Sequence, residues 1–133
     1  MAKIIPFKAV LPTADKVALV TTRSYDEYSA AELASWLDFN PFSFLHVINP
    51  AYINQQKIGM NERFKMVANK YADFKRDGIL FQETNSAMYL YKIETKKNIF
   101  VGIMAGTSVQ DYQENKIKKH ENTLEYRVDT LKD

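Results

Sequence analysis

The alternation of apolar and polar positions along this chain predicts short strands interleaved with helices. The segment IIPFKAVLP near the start is predicted to be extended, because Pro6 and Pro12 both oppose helix. The compact apolar runs VALVTT (17–22) and FSFLHVI (42–48) favour buried strands.

Two segments combine helical spacing with recognisable end signals. Ser29 and Glu32 form the capping-box pattern S-A-A-E, which opens a short helix that Asn40-Pro41 ends. The predicted buried face of this helix carries Leu33, Trp36 and Leu37. A longer helix is capped by Asn61 and stops at Gly78, where a C-terminal cap belongs. Its apolar residues at helical spacing are Phe64, Val67, Ala68, Tyr71 and Phe74.

The second half of the chain predicts a β-hairpin. ILFQ (79–82) is a short strand, and AMYLYKIET (87–95) alternates, with Tyr89, Tyr91 and Ile93 on one face. Lys96, Lys97 and Asn98 form a tight turn, and IFVGIMAG returns as the partner strand. Ser108 then caps a short helical turn, KIKKHENT (116–123) is predicted to be extended or loop-like, and LEYRVDTLKD begins another helix.

These elements predict an α+β fold, with a mixed, largely antiparallel sheet and helices packed against it. At 133 residues the chain has the size of one domain. Because the last helical pattern has no stop signal, we expect a single N-terminal domain or a fragment of a longer protein. Residues from about 107 on are expected to begin the next structural unit.

Composition and charge exclude several kinds of site. The chain has no cysteine, which excludes disulfides, thiolate nucleophiles and cysteine-ligated zinc. A net charge of +2 is far from a basic footprint, so nucleic acid is not an expected partner. No secretory signal and no bilayer-length apolar run is recognisable, so we expect a cytoplasmic protein without a membrane partner.

The segment HENT (120–123) brings a carboxylate, an imidazole and a hydroxyl together behind three lysines, Lys116, Lys118 and Lys119. In an extended segment Glu121 and Thr123 point to the same side, which would place a base beside a hydroxyl. Such an arrangement suits phosphoryl transfer, which needs positioning, charge neutralisation and a proton acceptor. The alternative is a solvated basic loop that caps a helix through Asn122 or Thr123, and the spacing alone favours this cap.

Two further positions have a functional and a structural interpretation. Asp26, in the loop SYDEY after the first apolar run, could bind a metal or a hydroxyl group, but an Asx turn explains it equally well. His46, inside FLHVI, is predicted to be a core residue with one satisfied nitrogen. No residue is assigned as a metal ligand.

The order of these segments resembles the N-terminal part of the family known as domain of unknown function 1015, whose members are longer prokaryotic proteins sometimes labelled ParB-like or predicted kinases. The family's blocks PPYD, NPYN and HExT correspond here to RSYD, NPF and HENT. The matching positions are Tyr25, Asp26, Asn40, Pro41, His120, Glu121 and Thr123. Arg23 and Ser24 replace the two prolines, and Phe42 replaces a tyrosine. A further block, DGHHR, lies downstream in the family and is not in this chain.

The resemblance extends to free-serine kinases built on a ParB and sulfiredoxin-like fold. It implies that Glu121 is the catalytic base and that His120 is a neighbouring catalytic contact. It implies ATP or ADP with Mg²⁺ as cofactors, and a small-molecule substrate such as free serine. The substrate or nucleotide contacts that it implies are Thr123, Lys119, Tyr25, Asp26 and Asn40.

Two other interpretations remain open. The chain could be a non-catalytic binding module, including the nucleic-acid role that a ParB-like label suggests. It could also be a structural domain that packs against the C-terminal part of the same protein or forms a homodimer, which an exposed apolar patch would favour.

Overall fold

The computed structural model describes residues 1–50 and 58–118 and confirms the predicted α+β class. The strands are β1 (Ile4–Ile5), β2 (Val10–Pro12), β3 (Leu80–Gln82), β4 (Tyr89–Glu94), β5 (Ile99–Met104) and β6 (Gly106–Thr107). The helices are α1 (Val17–Val20), α2 (Ala30–Phe39), α3 (Leu45–Ile48), α4 (Met60–Arg76) and α5 (Val109–Gln113), with a 3₁₀ turn at Tyr25–Glu27. No helix in the two described ranges is long and apolar enough to cross a membrane.

The described strands pair as three antiparallel two-stranded sheets, β1 with β6, β2 with β3, and β4 with β5. The chain divides into two compact units. Val10–Gln82 form a helical unit, and residues 1–9 with 83–118 form a hairpin unit. Both β6 and α5 lie in the hairpin unit, where β6 pairs with β1. That a further unit begins near residue 107 stays a prediction.

The helical unit has two clusters of buried side chains. The larger one comprises Val20, Val47, Phe74, Ile79 and Leu80, and Tyr71 and Phe44 pack against it. The smaller one comprises Leu33, Leu37 and Leu45. Burial of these aliphatic and aromatic side chains is the main favourable term that holds α1, α3 and α4 against the β2–β3 pair and α2 against α3.

Both predictions of a buried strand, at 17–22 and at 42–48, are wrong. In α1 the amide of Thr21 donates to Val17, and in α3 the amide of Asn49 donates to Leu45, so each run closes one helical turn. A helical turn brings the consecutive residues Leu45, His46 and Val47 into buried positions. A short apolar run cannot distinguish a strand from a buried helical turn, and here β2 finds its partner in β3 instead.

The predicted helix signals are confirmed with small shifts. Ser29 and Glu32 form a complete capping box at the start of α2, with each side chain accepting a hydrogen bond from the other residue's backbone amide. Leu33 and Leu37 are buried as predicted, whereas Trp36 is about half exposed, at 48%. The long helix α4 begins at Met60 after the N-cap Gly59, so Asn61 lies inside its first turn.

Beyond α4, Gly78 adopts the left-handed conformation of a helix stop, with φ of 66°. The predicted strand at 79–82 is present as β3, and Ser108 caps α5 by accepting from the amide of Asp111. The predicted irregular segment that contains residues 51–57, and the helix predicted from residue 124, fall in whole or in part outside the described residues.

The predicted hairpin of β4 and β5 is confirmed, and it exposes its side chains on both faces. Its turn is closed by the amide of Thr95, which donates to the carbonyl of Asn98 at 2.8 Å. Leu90 and Ile103 are opposite each other and are 74% and 72% exposed. The strand β5, sequence IFVGIM, is exposed at every position and carries no charge.

Candidate functional site

The RSYD block lies in the helical unit, between α1 and α2. Tyr25 begins the 3₁₀ turn and is 46% exposed, and its carbonyl accepts from the amide of Tyr28 at 3.4 Å. The backbone of Asp26 lies in the same turn. The turn therefore places this block at the surface of the helical unit.

A polar cluster surrounds the Tyr28 hydroxyl. This oxygen lies 2.8 Å from Thr22 Oγ1 and accepts from the amide of Arg23 at 3.1 Å. The Arg23 guanidinium stands 4.4 Å from the centre of the Tyr28 ring, and it approaches the Glu32 carboxylate at 3.7 Å. The hydrogen bond with Thr22 is the main cause that lowers the pKa of Tyr28, and the contact with Tyr28 raises the pKa of Arg23.

The Tyr28 cluster was not predicted from the sequence. Arg23 and Tyr28 are five positions apart in a loop, where no periodic spacing indicates that they meet. The usable signal was Glu32, because the capping box fixes its carboxylate at the start of α2 and so provides a partner for a nearby cation.

Asn40 joins three segments of the helical unit. Its side-chain amide donates to the Leu19 carbonyl at 2.7 Å, and its side-chain oxygen accepts from the amide of Phe42 at 3.1 Å. Its backbone carbonyl accepts from Nε2 of His46 at 3.1 Å. Asn40 is only 8% exposed, so its side chain ties α1 to the Asn-Pro corner. Its predicted role as a substrate contact stays a prediction, and its described partners are all within the fold.

His46 is a buried residue whose ring donates to the backbone, as the sequence predicts for a structural histidine. Burial is the main cause that lowers the pKa of His46, and the nearby Lys70 acts in the same direction. The imidazole also lines a cavity of about 230 Å³, together with Asn69, Lys70 and Asp73 of α4. A neutral imidazole is thus the form that the fold favours.

A larger cavity of about 410 Å³ lies in the helical unit beside the RSYD block. Its apolar lining comes from Val10, Pro12, Val20, Phe44, Tyr71 and Leu80. Thr21 and Thr22 complete the lining, and Thr22 also bonds Tyr28, so the wall of the cavity and the Tyr28 cluster share a residue. On the α4 side, the Lys75 ammonium stands 4.7 Å from the centre of the Tyr71 ring.

Lys116, the first of the lysines that precede HENT, lies in the hairpin unit. Lys116 pairs with Asp111 at 3.1 Å and with Glu114 at 2.6 Å, and Asp111 also accepts from the amide of Lys3 at 2.8 Å. These contacts raise the pKa of Lys116 and lower the pKa of Asp111. The first lysine of the run is therefore paired with carboxylates at the end of α5.

The remaining predicted site residues, Lys119, His120, Glu121 and Thr123, lie outside the described residues. Their roles and their distance from Tyr25, Asp26 and Asn40 stay predictions. Within residues 1–50 and 58–118, no group of three or more potential metal ligands is present.

A comparison with protein-family models matches residues 4–133 to the family described as Protein of unknown function (DUF1015). None of the curated proteins and none of the solved structures matches the chain significantly. The match covers almost the whole sequence, including the segments RSYD, NPF and HENT.

Proposed function

Since this chain belongs to the DUF1015 family of proteins of unknown function, we propose that it contributes to a nucleotide-dependent kinase acting on a small hydroxyl compound such as free serine. The observation that supports the proposal is the order of the blocks RSYD, NPF and HENT within the matched residues. The polar cluster and the cavity beside RSYD add a surface on which small molecules could be held.

In the proposed reaction the substrate hydroxyl attacks the terminal phosphorus of the nucleotide. Glu121 accepts the hydroxyl proton while the new oxygen–phosphorus bond forms and the bond to the leaving nucleotide breaks. His120 and Lys119 contact the phosphate, and Thr123 orients the substrate. Mg²⁺, when bound, would neutralise phosphate charge.

The test is a turnover assay of the protein in its natural full length with ATP or ADP and free serine. Glu121→Gln keeps the size of the side chain but removes the proton acceptor, so kcat should fall by about 10²–10⁴-fold with a smaller change in KM. Glu125→Gln, a nearby carboxylate without an assigned role, is the matched control and should keep its activity. Retained turnover in Glu121→Gln would remove this residue as the base, and absent turnover in the unaltered protein would remove the kinase proposal.

The exposed hairpin favours a second candidate, a non-catalytic module that pairs with a second copy of itself. The strand β5 is uncharged, so two copies can approach along this edge without like-charge repulsion. Light scattering after gel filtration measures the mass. Ile103→Glu should halve the mass of a dimer, whereas Val109→Glu, an equally exposed change in α5, should not. A mass that Ile103→Glu leaves unchanged would contradict this candidate.

A further inference from the structure

We infer that the 410 Å³ cavity of the helical unit binds the base of a nucleotide, with Arg23 and Lys75 holding its anionic part. This inference rests on the proposed kinase function for the choice of ligand class. It adds a site that lies apart from the HENT segment in sequence and whose cavity lining contains no residue of the blocks RSYD, NPF and HENT.

The size and lining of the cavity suit an aromatic ring. Binding sites for small ligands typically occupy about 300–1,000 Å³ and are mostly apolar with a few polar groups. The cavity of about 410 Å³ meets that range, whereas the cavity beside His46, at about 230 Å³, is below it. Phe44, Tyr71 and Pro12 provide flat apolar surface, and Thr21 and Thr22 provide hydroxyl groups.

The walls of the cavity are held by the fold itself. The backbone amide of Phe44 donates to the Val20 carbonyl at 3.1 Å, which joins the end of α1 to the start of α3. On the opposite wall Val10 and Leu80 belong to the paired strands β2 and β3. Since these walls are built from backbone bonds and core residues, the cavity is formed before a ligand arrives.

Two cations lie next to the lining residues. Arg23 follows Thr22 directly, and its guanidinium is held over Tyr28, whose hydroxyl bonds Thr22. Lys75 is held over the ring of Tyr71. Glu32 approaches the Arg23 guanidinium at 3.7 Å, and a guanidinium has five N–H donors. A ligand with an apolar ring and a phosphate therefore complements this surface in shape and in charge.

The experiment measures the binding of ADP and of adenosine to the full-length protein by calorimetry. Thr21→Trp places a bulky ring at the cavity wall, and it should weaken both ligands by at least about tenfold. Arg23→Gln should weaken ADP by about tenfold and leave adenosine unchanged, and Arg23→Lys should restore part of the loss. The matched controls are Thr107→Trp, in the hairpin unit, and Arg76→Gln, at the end of α4, and neither should change either affinity.

Circular dichroism establishes that each variant is folded, and Thr21→Leu replaces Thr21→Trp if the larger side chain prevents folding. Unchanged affinity for adenosine in the cavity variant, or no binding of ADP by the unaltered protein, would overturn the inference. The two proposals also fail separately. If the unaltered protein binds ADP but shows no turnover, and the cavity variant abolishes the binding, the site is retained and the kinase proposal is removed. If the cavity variant keeps full turnover, the kinase proposal is retained and the cavity is removed as the nucleotide site.

Discussion

Replacing Asn40 with alanine should destabilise the helical unit, because its side chain bridges two backbone groups that are far apart in sequence. The substitution removes the donor to the Leu19 carbonyl, 21 residues away, and the acceptor for the amide of Phe42. A hydrogen bond of this kind contributes about 1 kcal/mol net, and a buried group left without its partner costs about 1–3 kcal/mol. We therefore expect the free energy of unfolding to fall by about 2–3 kcal/mol.

Urea denaturation followed by tryptophan fluorescence is the assay. The chain has one tryptophan, Trp36, whose carbonyl accepts from the amide of Asn40 at 3.0 Å, so the signal reports on this corner. With a urea dependence of about 1–3 kcal/mol per molar, the midpoint should fall by about 0.7–3 M. Asn61→Ala, an exposed change in the first turn of α4, is the matched control and should stay within about 0.5 kcal/mol.

A loss below about 0.5 kcal/mol for Asn40→Ala would refute this reasoning, because it would mean that water replaces both contacts without cost. If such a stable variant also lost turnover, Asn40 would be a substrate contact. A large loss of stability would instead give Asn40, the asparagine of the NPF block, a structural role.

Two further predictions test the pKa of His46 and the end of α4. The pKa of His46 is below its usual value in the folded protein, so as the pH falls the unfolded chain binds the proton before the folded protein does. The free energy of unfolding should therefore decline as the pH falls below about 6.5, with a slope of at most about 1.4 kcal/mol per pH unit. Urea denaturation between pH 7.5 and pH 5.5 should show a smaller slope in His46→Gln than in the unaltered protein, and equal slopes in the two proteins would contradict the burial argument. Gly78→Ala forces a side chain into φ of 66° and should cost about 1–2 kcal/mol, whereas Gly102→Ala, with open space around the added carbon, should stay within about 0.5 kcal/mol in thermal denaturation.

The parts of the fold that local chemistry determines could be predicted from the sequence. The capping box of α2 and the left-handed Gly78 depend on residues within one turn, and both are present. The alternation of β4 and β5 likewise predicts their pairing, because both strands and their turn lie within a short segment. The strand predictions for residues 17–22 and 42–48 were wrong because the choice between a strand and a helical turn depends on whether a partner strand is available elsewhere in the chain.

The candidate site could be predicted only as a set of residue types. The sequence singled out Tyr25 and Asn40, but it could not reveal that Asn40 bonds Leu19. The contact of Arg23 with the Tyr28 ring was also hidden, because loop residues follow no period. Cavities arise between elements that are distant in sequence, as Val10, Val20 and Tyr71 are here, so their lining could not be predicted.

The way the two units share the chain has a consequence for how the protein is made. Residues 10–82 are continuous, and Val10 and Gln82 are registered partners, so the helical unit begins and ends at neighbouring positions. The hairpin unit needs both ends of the described chain, because Ile4 pairs with Thr107. During synthesis the helical unit can close as soon as β3 has left the ribosome, while β1 waits for β6. Translation thus imposes an order of assembly, in which the folded helical unit brings the two halves of the hairpin unit together and shortens the loop that their pairing must close.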